Sequence, residues 1–262
     1  LVAGYAMAAR IESLQGNGVA RGLVAREAAR AGIDYAASRM LASDPMQRWA
    51  ADGRAYRLDF DGIAVDVEVR DEGAKVDLNQ ADVPLLSRLM QVLGEPPDAS
   101  DALAAAIVDW RDADDLGQPV GGAEDGDYAA AGRPYGAKDA PFETIAELEQ
   151  VLGMTPDLYA RLEPFLTLYS GRGQPDATYA QGPVLVAMGM DATAWLAQRE
   201  AAGAAGALQL VGTGSGTYSI ESRARLADGR ETSLRTVVRA GASPVPGSAY
   251  TLLRWEEGAS PQ

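Results

Sequence analysis

The chain has 262 residues, enough for one large or two modest domains, and 47% hydrophobic with 23% charged residues is ordinary globular composition. It contains neither cysteine nor histidine, which excludes disulfides, thiolate chemistry, zinc held by Cys or His, haem held by His and any triad with an imidazole base. With 23 basic and 37 acidic side chains the formal charge is −14, which repels nucleic acid and favours Ca²⁺ or a basic protein as partner.

The first nine residues are uncharged and mostly apolar, and Arg10 closes the run. Two readings stand: a buried helix start, or the last turns of a membrane helix whose front half lies ahead of the chain. No apolar run reaches the ~18 residues of a bilayer span. Up to about Ser43 the sequence lacks proline and is rich in Ala, Leu, Arg and Glu, which predicts one long helix. Val24, Ala28, Ala31 and Tyr35 recur at three- and four-residue spacing as one face. Gly16, Gly18 and Gly22 weaken its middle, and Asp44-Pro45 ends it. A helix of that length must project, lie along a partner or break at the glycines.

Asp61-Gly62 between alternating runs predicts a hairpin with a two-residue loop. Phe60 then faces Ile63, Leu58 faces Val65 and Tyr56 faces Val67, with Arg57, Asp59, Asp66 and Glu68 on the other face. A second hairpin is expected around Asp228-Gly229. Only a three-residue loop, Ala227-Asp228-Gly229 with Gly229 left-handed, puts Tyr218, Ile220, Ala224 and Leu226 on one face with Leu234, Val238 and Ala240. Tyr250–Trp255 reads as a last strand after a turn region at Pro244 and Pro246.

Residues 77 to 205 read as helical. Leu85, Leu86, Leu89, Met90 and Leu93 lie on one helix, and Leu103–Trp110 forms another. Thr144 with Glu147 makes a capping box ahead of Gly153. Thr155-Pro156 opens a helix over Leu158–Leu168, and Asp191 caps a last one. The order predicts an α+β chain: a first part at 1–74, an inserted helical domain at 75–206 and closing strands at 207–262.

The chemically distinctive stretch is DWRDADDLGQPVGGAEDGDY, residues 109–128. Like charges this dense repel unless a cation or water screens them. Calcium takes six to eight oxygens in a flexible cage, and acids on a glycine-rich loop supply them. Asp112, Asp114 and Gly117 match three EF-hand positions, but Leu116 and Ala123 break the pattern, so this is not an EF-hand. The candidate ligands are Asp112, Asp114, Asp115, Glu124, Asp125 and Asp127, the alternative being a solvated acidic loop without an ion. Trp110 and Tyr128 bracket a loop folded back on itself.

Five segments resemble the K-type minor pseudopilins of bacterial type II secretion, the general secretion pathway protein K family. They are AREAARAGIDYAASRML (25–41), VDLNQADVPLL (76–86), IVDWRDADD with GAEDGDY (107–115 and 122–128), APFETIAELEQVLGMTPDLYARLEPFLTLYS (140–170) and YTLLRW (250–255). The resemblance implies a pilin-like fold: a long N-terminal helix packed on a small antiparallel sheet, with a large inserted α-helical domain. It implies an inner-membrane anchor ahead of the chain, cut by a prepilin peptidase, with this region in the periplasm, and calcium in the acidic loop. It further implies a structural role at the pseudopilus tip beside I-type and J-type minor pseudopilins, which would meet the face at Val24, Ala28, Ala31 and Tyr35. The alternative is a calcium-dependent carbohydrate-active enzyme using loop carboxylates. Against it, these acids crowd one loop, whereas a glycosidase pair flanks a sugar. Paired short helices also suggest phosphate-gripping hairpins, but Lys75 and Lys138 are the only lysines, so no nucleic acid is expected.

Overall fold

The structure, a computed structural model, describes residues 2–204, 214–241 and 250–258, with side chains for 20–44, 46–202, 214–241 and 250–258. The turn region expected at Pro244 and Pro246 and most of the 203–216 connector lie outside these residues. The chain divides into two compact units, residues 1–70 with 216–262, and residues 71–215. Against boundaries read at 74/75 and 206/207, the second unit is wider because its two chain crossings are tied together. The Asp71 carboxylate accepts Gly73 N at 2.7 Å and Ser215 N at 2.8 Å.

The first unit opens with helix α1, Val2–Met40, which runs unbroken through all three glycines. At about 1.5 Å per residue it is about 58 Å long. It stops just short of Asp44-Pro45, with Arg39 in the last turn where a cation suits the helix dipole. Strands β1, Asp52–Phe60, and β2, Ile63–Asp71, pair antiparallel. The register is Phe60↔Ile63, Leu58↔Val65 and Tyr56↔Val67, as alternation demands. Asp61 is left-handed at φ 55°, and Asp59 accepts Gly62 N at 2.9 Å, closing the two-residue turn.

The second unit holds strand β3, Val76–Asp77, helices α2, Val83–Val92, α3, Pro97–Arg111, α4, Asp125–Ala130, and α5, Pro156–Leu162. Strand β4, Leu166–Thr167, and helices α6, Gly182–Ala187, and α7, Ala192–Ala204, complete it. Three expectations need correction. The capping box at Thr144 and Glu147 is present, but it opens a 3-10 turn over Ile145–Gln150 and not an α-helix. The helix expected to reach Leu168 ends at Leu162, because Pro164 has no N–H to donate to the preceding turn. Beyond it Leu166 and Thr167 pair in parallel with Val76 and Asp77, so the unit is not wholly helical. Asp191 does cap α7, accepting Ala194 N at 3.0 Å.

The chain then returns through β5, Thr217–Arg225, β6, Glu231–Ala240, and β7, Tyr250–Glu257. Leu226 N donates to Arg230 O at 2.9 Å around the three-residue loop, whose Gly229 has φ 85°. Tyr218 pairs with Val238, Ile220 with Thr236 and Ser222 with Leu234, so one face is buried throughout. The sheet order is β1-β2-β5-β6-β7. The second unit is therefore inserted between neighbouring strands. Ala29, Ile33, Ala36 and Met40 of α1 pack on Val65, Val67, Tyr218, Ile220, Leu234 and Val238.

Candidate metal centre

Helix α3 carries the acidic loop on its C-terminal end. Leu103, Ala104, Ile107 and Trp110 face inward, and Asp109 is fully buried beside them. Its carboxylate accepts Gln118 N at 3.2 Å and Ala123 N at 2.8 Å, drawing the loop back over the helix end. Gly122, at φ 101°, lies so close to the Asp109 carboxylate that a Cβ would collide with it. The aromatic bracket forms the floor. Trp110 lies 5.9 Å from Tyr128, 6.4 Å from Tyr135 and 6.3 Å from Phe142, centroid to centroid. Burial pushes the Tyr128 hydroxyl up to about 12, and that oxygen accepts Leu152 N at 3.1 Å.

The VDLNQAD segment braces this floor. Asn79 donates to Phe142 O at 3.0 Å and accepts Phe142 N at 2.7 Å, a reciprocal pair across 63 positions. Asp77 accepts Asn79 N, Ser170 Oγ and Gly171 N. Arg111, the one base among the loop's acids, spends its donors on Leu78 O and on Ala81 O at 2.6 Å. Among the described residues it makes no hydrogen bond to an acid of the loop, so its charge screens them only at a distance.

The six expected ligands are held in different ways. Asp112 Oδ1 and Glu124 Oε1 are buried without a hydrogen-bond partner. Burial, then Asp109 and Asp114, pushes the Asp112 carboxyl above its ordinary range. Burial, then Asp109, Asp112, Asp139 and Asp115, pushes Glu124 up to about 7. Asp114 accepts Leu116 N at 3.0 Å, and Asp127 accepts Glu124 N at 3.0 Å in the capping box of α4. Asp125 sits against Gly136, where a Cβ would displace it. Asp125 and Asp115 both raise the Asp139 carboxyl, after its burial. Among the described residues no group of three or more acids is gathered closely enough to hold a metal ion as it stands. Sequence reasoning passed over Asp109 as a positioning group, although its spacing of three from Asp112 on a helix was a usable signal. Asp139 carried no such signal; its left-handed backbone, φ 53°, and its distance along the chain hid it.

The predicted partner face on α1 divides. Ala28 is buried in the unit's own core, whereas Val24 and Tyr35 are 49% and 41% exposed and Ala31 is half-buried. Tyr35 meets Trp49 edge-on at 5.7 Å, and Trp49 stacks on Tyr56 at 3.9 Å, so this flank is aromatic and stiff.

The family model described as Type II secretion system (T2SS), protein K matches residues 65–171. A type II secretion system protein K from Pectobacterium carotovorum subsp. carotovorum is 41% identical over 78 residues, 30% of this chain and 24% of that protein. The protein K of Pseudomonas aeruginosa is 29% identical over 151 residues, 54% of this chain and 45% of its own length. That of Klebsiella pneumoniae is 33% identical over 133 residues, 46% and 40% respectively. The matched stretches thus span less than half the length of these relatives. A chain in the crystal structure of the GspK-GspI-GspJ complex from enterotoxigenic Escherichia coli shares the fold, with TM-score 0.58 and 20% identity over 96% of this chain and 99% of that one. The segment carrying β3, α2, α3, the acidic loop and its aromatic floor is the one that the type II secretion system protein K model matches.

Proposed function

We propose that this chain is the periplasmic region of a K-type minor pseudopilin, a non-enzymatic component at the tip of the type II secretion pseudopilus. The observation that carries the reading is the layout itself: a long helix on a five-stranded sheet, interrupted between β2 and β5 by a unit bearing the acidic loop. A chain of the GspK-GspI-GspJ complex has the same fold over nearly its whole length. By analogy with that assembly, I-type and J-type minor pseudopilins are its partners, meeting the α1 flank at Val24, Ala31 and Tyr35. An inner-membrane anchor ahead of α1 fits the uncharged start of that helix.

Calcium in the acidic loop belongs to the same proposal. Two carboxylate oxygens buried without partners, on Asp112 and Glu124, are the donor type and charge a hard cation takes. Asp114, Asp115, Asp125 and Asp127 surround them in sequence and would complete the oxygen set by side-chain rotation. A bound ion would offset the burial and the like-charge repulsion that raise Glu124 and cross-link both arms of the loop. The test is co-purification with I- and J-type partners, with calcium and with EDTA. A stable ternary complex in calcium is expected; no complex in either condition overturns the assembly, and indifference of both complex and melting temperature to EDTA overturns the ion.

A further inference from the structure

Leu116 and Val120 are 76% and 75% exposed, above every other large apolar side chain in the described residues. Single exposed apolar residues are commonplace. These two sit four positions apart on one loop whose backbone is clamped around them. Leu116 N is held by Asp114, Gln118 N and Ala123 N by the buried Asp109 carboxylate, and Gly121 is packed against Ala102, where a Cβ would come to 2.5 Å of its Cα. Between the clamps the two side chains project. Neither side chain gains from burial within the chain, so covering them on a partner would remove apolar surface from water.

The charges around them select what could cover them. Residues 109 to 127 carry seven acids, and their one base, Arg111, is committed to backbone carbonyls. One divalent cation leaves that excess negative. An anionic lipid surface is repelled by such a rim, whereas a protein surface with lysines or arginines around an apolar pocket fits both features at once.

We infer that the 112–123 loop is a docking tip, in which Leu116 and Val120 enter an apolar pocket of a basic protein surface drawn to the loop's net negative charge. The surface is distinct from the α1 flank proposed for the pseudopilin partners, and it does not require the bound ion.

The test uses the chain as it is, with a fluorescent peptide alternating lysine and leucine, its lysine–alanine counterpart, and vesicles containing phosphatidylglycerol. Anisotropy should report binding of the lysine–leucine peptide, weakened at least tenfold in the double variant Leu116→Ser/Val120→Ser. The lysine–alanine peptide should bind at least tenfold more weakly than its leucine counterpart. Equal affinity of wild type and variant, or of the two peptides, overturns the proposal, since charge alone would then explain binding. Vesicle binding that the double variant abolishes overturns it in favour of lipid. Both side chains are exposed, so the variant should melt as wild type does and keep the response to calcium. A lost calcium response with peptide binding intact would strike the ion reading and leave the docking tip standing.

Discussion

Gly32 of α1 lies directly against Ser222 of β5. A methyl group built on Gly32 would run into Ser222 Oγ and stand 2.9 Å from Val65 Cγ1 and 3.1 Å from Val67 Cγ2. The helix therefore rests on the sheet at a point where only a hydrogen fits. Ser222 is fully buried and its hydroxyl has no hydrogen-bond partner.

The first prediction concerns that contact. Gly32→Ala gains about 1 kcal/mol of helix propensity but overpacks the interface, which costs about 1–3 kcal/mol. Net destabilisation is expected in urea unfolding. Ser222→Ala removes an unsatisfied buried hydroxyl and should be neutral or stabilising. In Gly32→Ala/Ser222→Ala part of the loss should return, because the residues touch and their effects do not add. Strict additivity of the two substitutions would place the strain elsewhere.

Period-two alternation makes both hairpins legible in the sequence, because Asp61-Gly62 and Asp228-Gly229 leave one loop length each that keeps the apolar sets together. On the helix, spacing alone does not say which apolar face meets the sheet. Val24, Ala28, Ala31 and Tyr35 are spaced as well as Ala29, Ile33, Ala36 and Met40, and only packing on the strands separates the two sets. The β3–β4 pair was invisible, since two residues at Val76 and two at Leu166 have no periodicity to show. In the acidic loop the carboxylates stood out by composition. Which of them have orphaned oxygens depended on where Asp109 and the capping box of α4 spend their hydrogen bonds.

Asn79 is the next test. Its amide makes two reciprocal bonds to the backbone of Phe142, which lies under the acidic loop beside Trp110. Asn79→Ala leaves a backbone donor and an acceptor half-buried without partners, a loss of about 1–3 kcal/mol. Asn79→Asp keeps the acceptor for Phe142 N but cannot donate to Phe142 O, so it should fall between wild type and alanine. The readout is chemical denaturation followed by tryptophan fluorescence.

Stability should depend on pH through Glu124. Its folded carboxyl lies at about 7 against an ordinary value of 4.5, so between these values the folded state binds more protons than the unfolded one. The contribution is present below pH 4.5 and is lost as pH rises to 7, amounting to about 3 kcal/mol at most. Asp112 is shifted in the same direction. In EDTA, raising the pH through this window should therefore lower the melting temperature, and Glu124→Gln should flatten that slope. Calcium, binding the ionised form, should oppose the slope in wild type and do less in the variant. An identical pH profile for wild type and Glu124→Gln in EDTA would remove Glu124 from the account.

The last prediction separates the two faces of α1. Ala29 and Ile33 are fully buried on the sheet, so a charge there unfolds the first unit and says nothing about assembly. Val24 stands 49% exposed on the other flank, with Ala31 two turns along it half-buried. Val24→Glu places its carboxylate in water in the isolated chain, so its melting temperature should stay within about one degree of wild type, as for most surface substitutions. If I- and J-type helices pack on this flank, the same carboxylate is desolvated between helices without a partner, and a buried unpaired charge costs several kcal/mol. Co-purification should then fall by more than tenfold while the fold is untouched. Val24→Leu, which keeps the apolar contact, should retain the complex. A Val24→Glu chain that still assembles would move the partner surface off this flank, and the further apolar side chain to test would be Leu23, 55% exposed beside it.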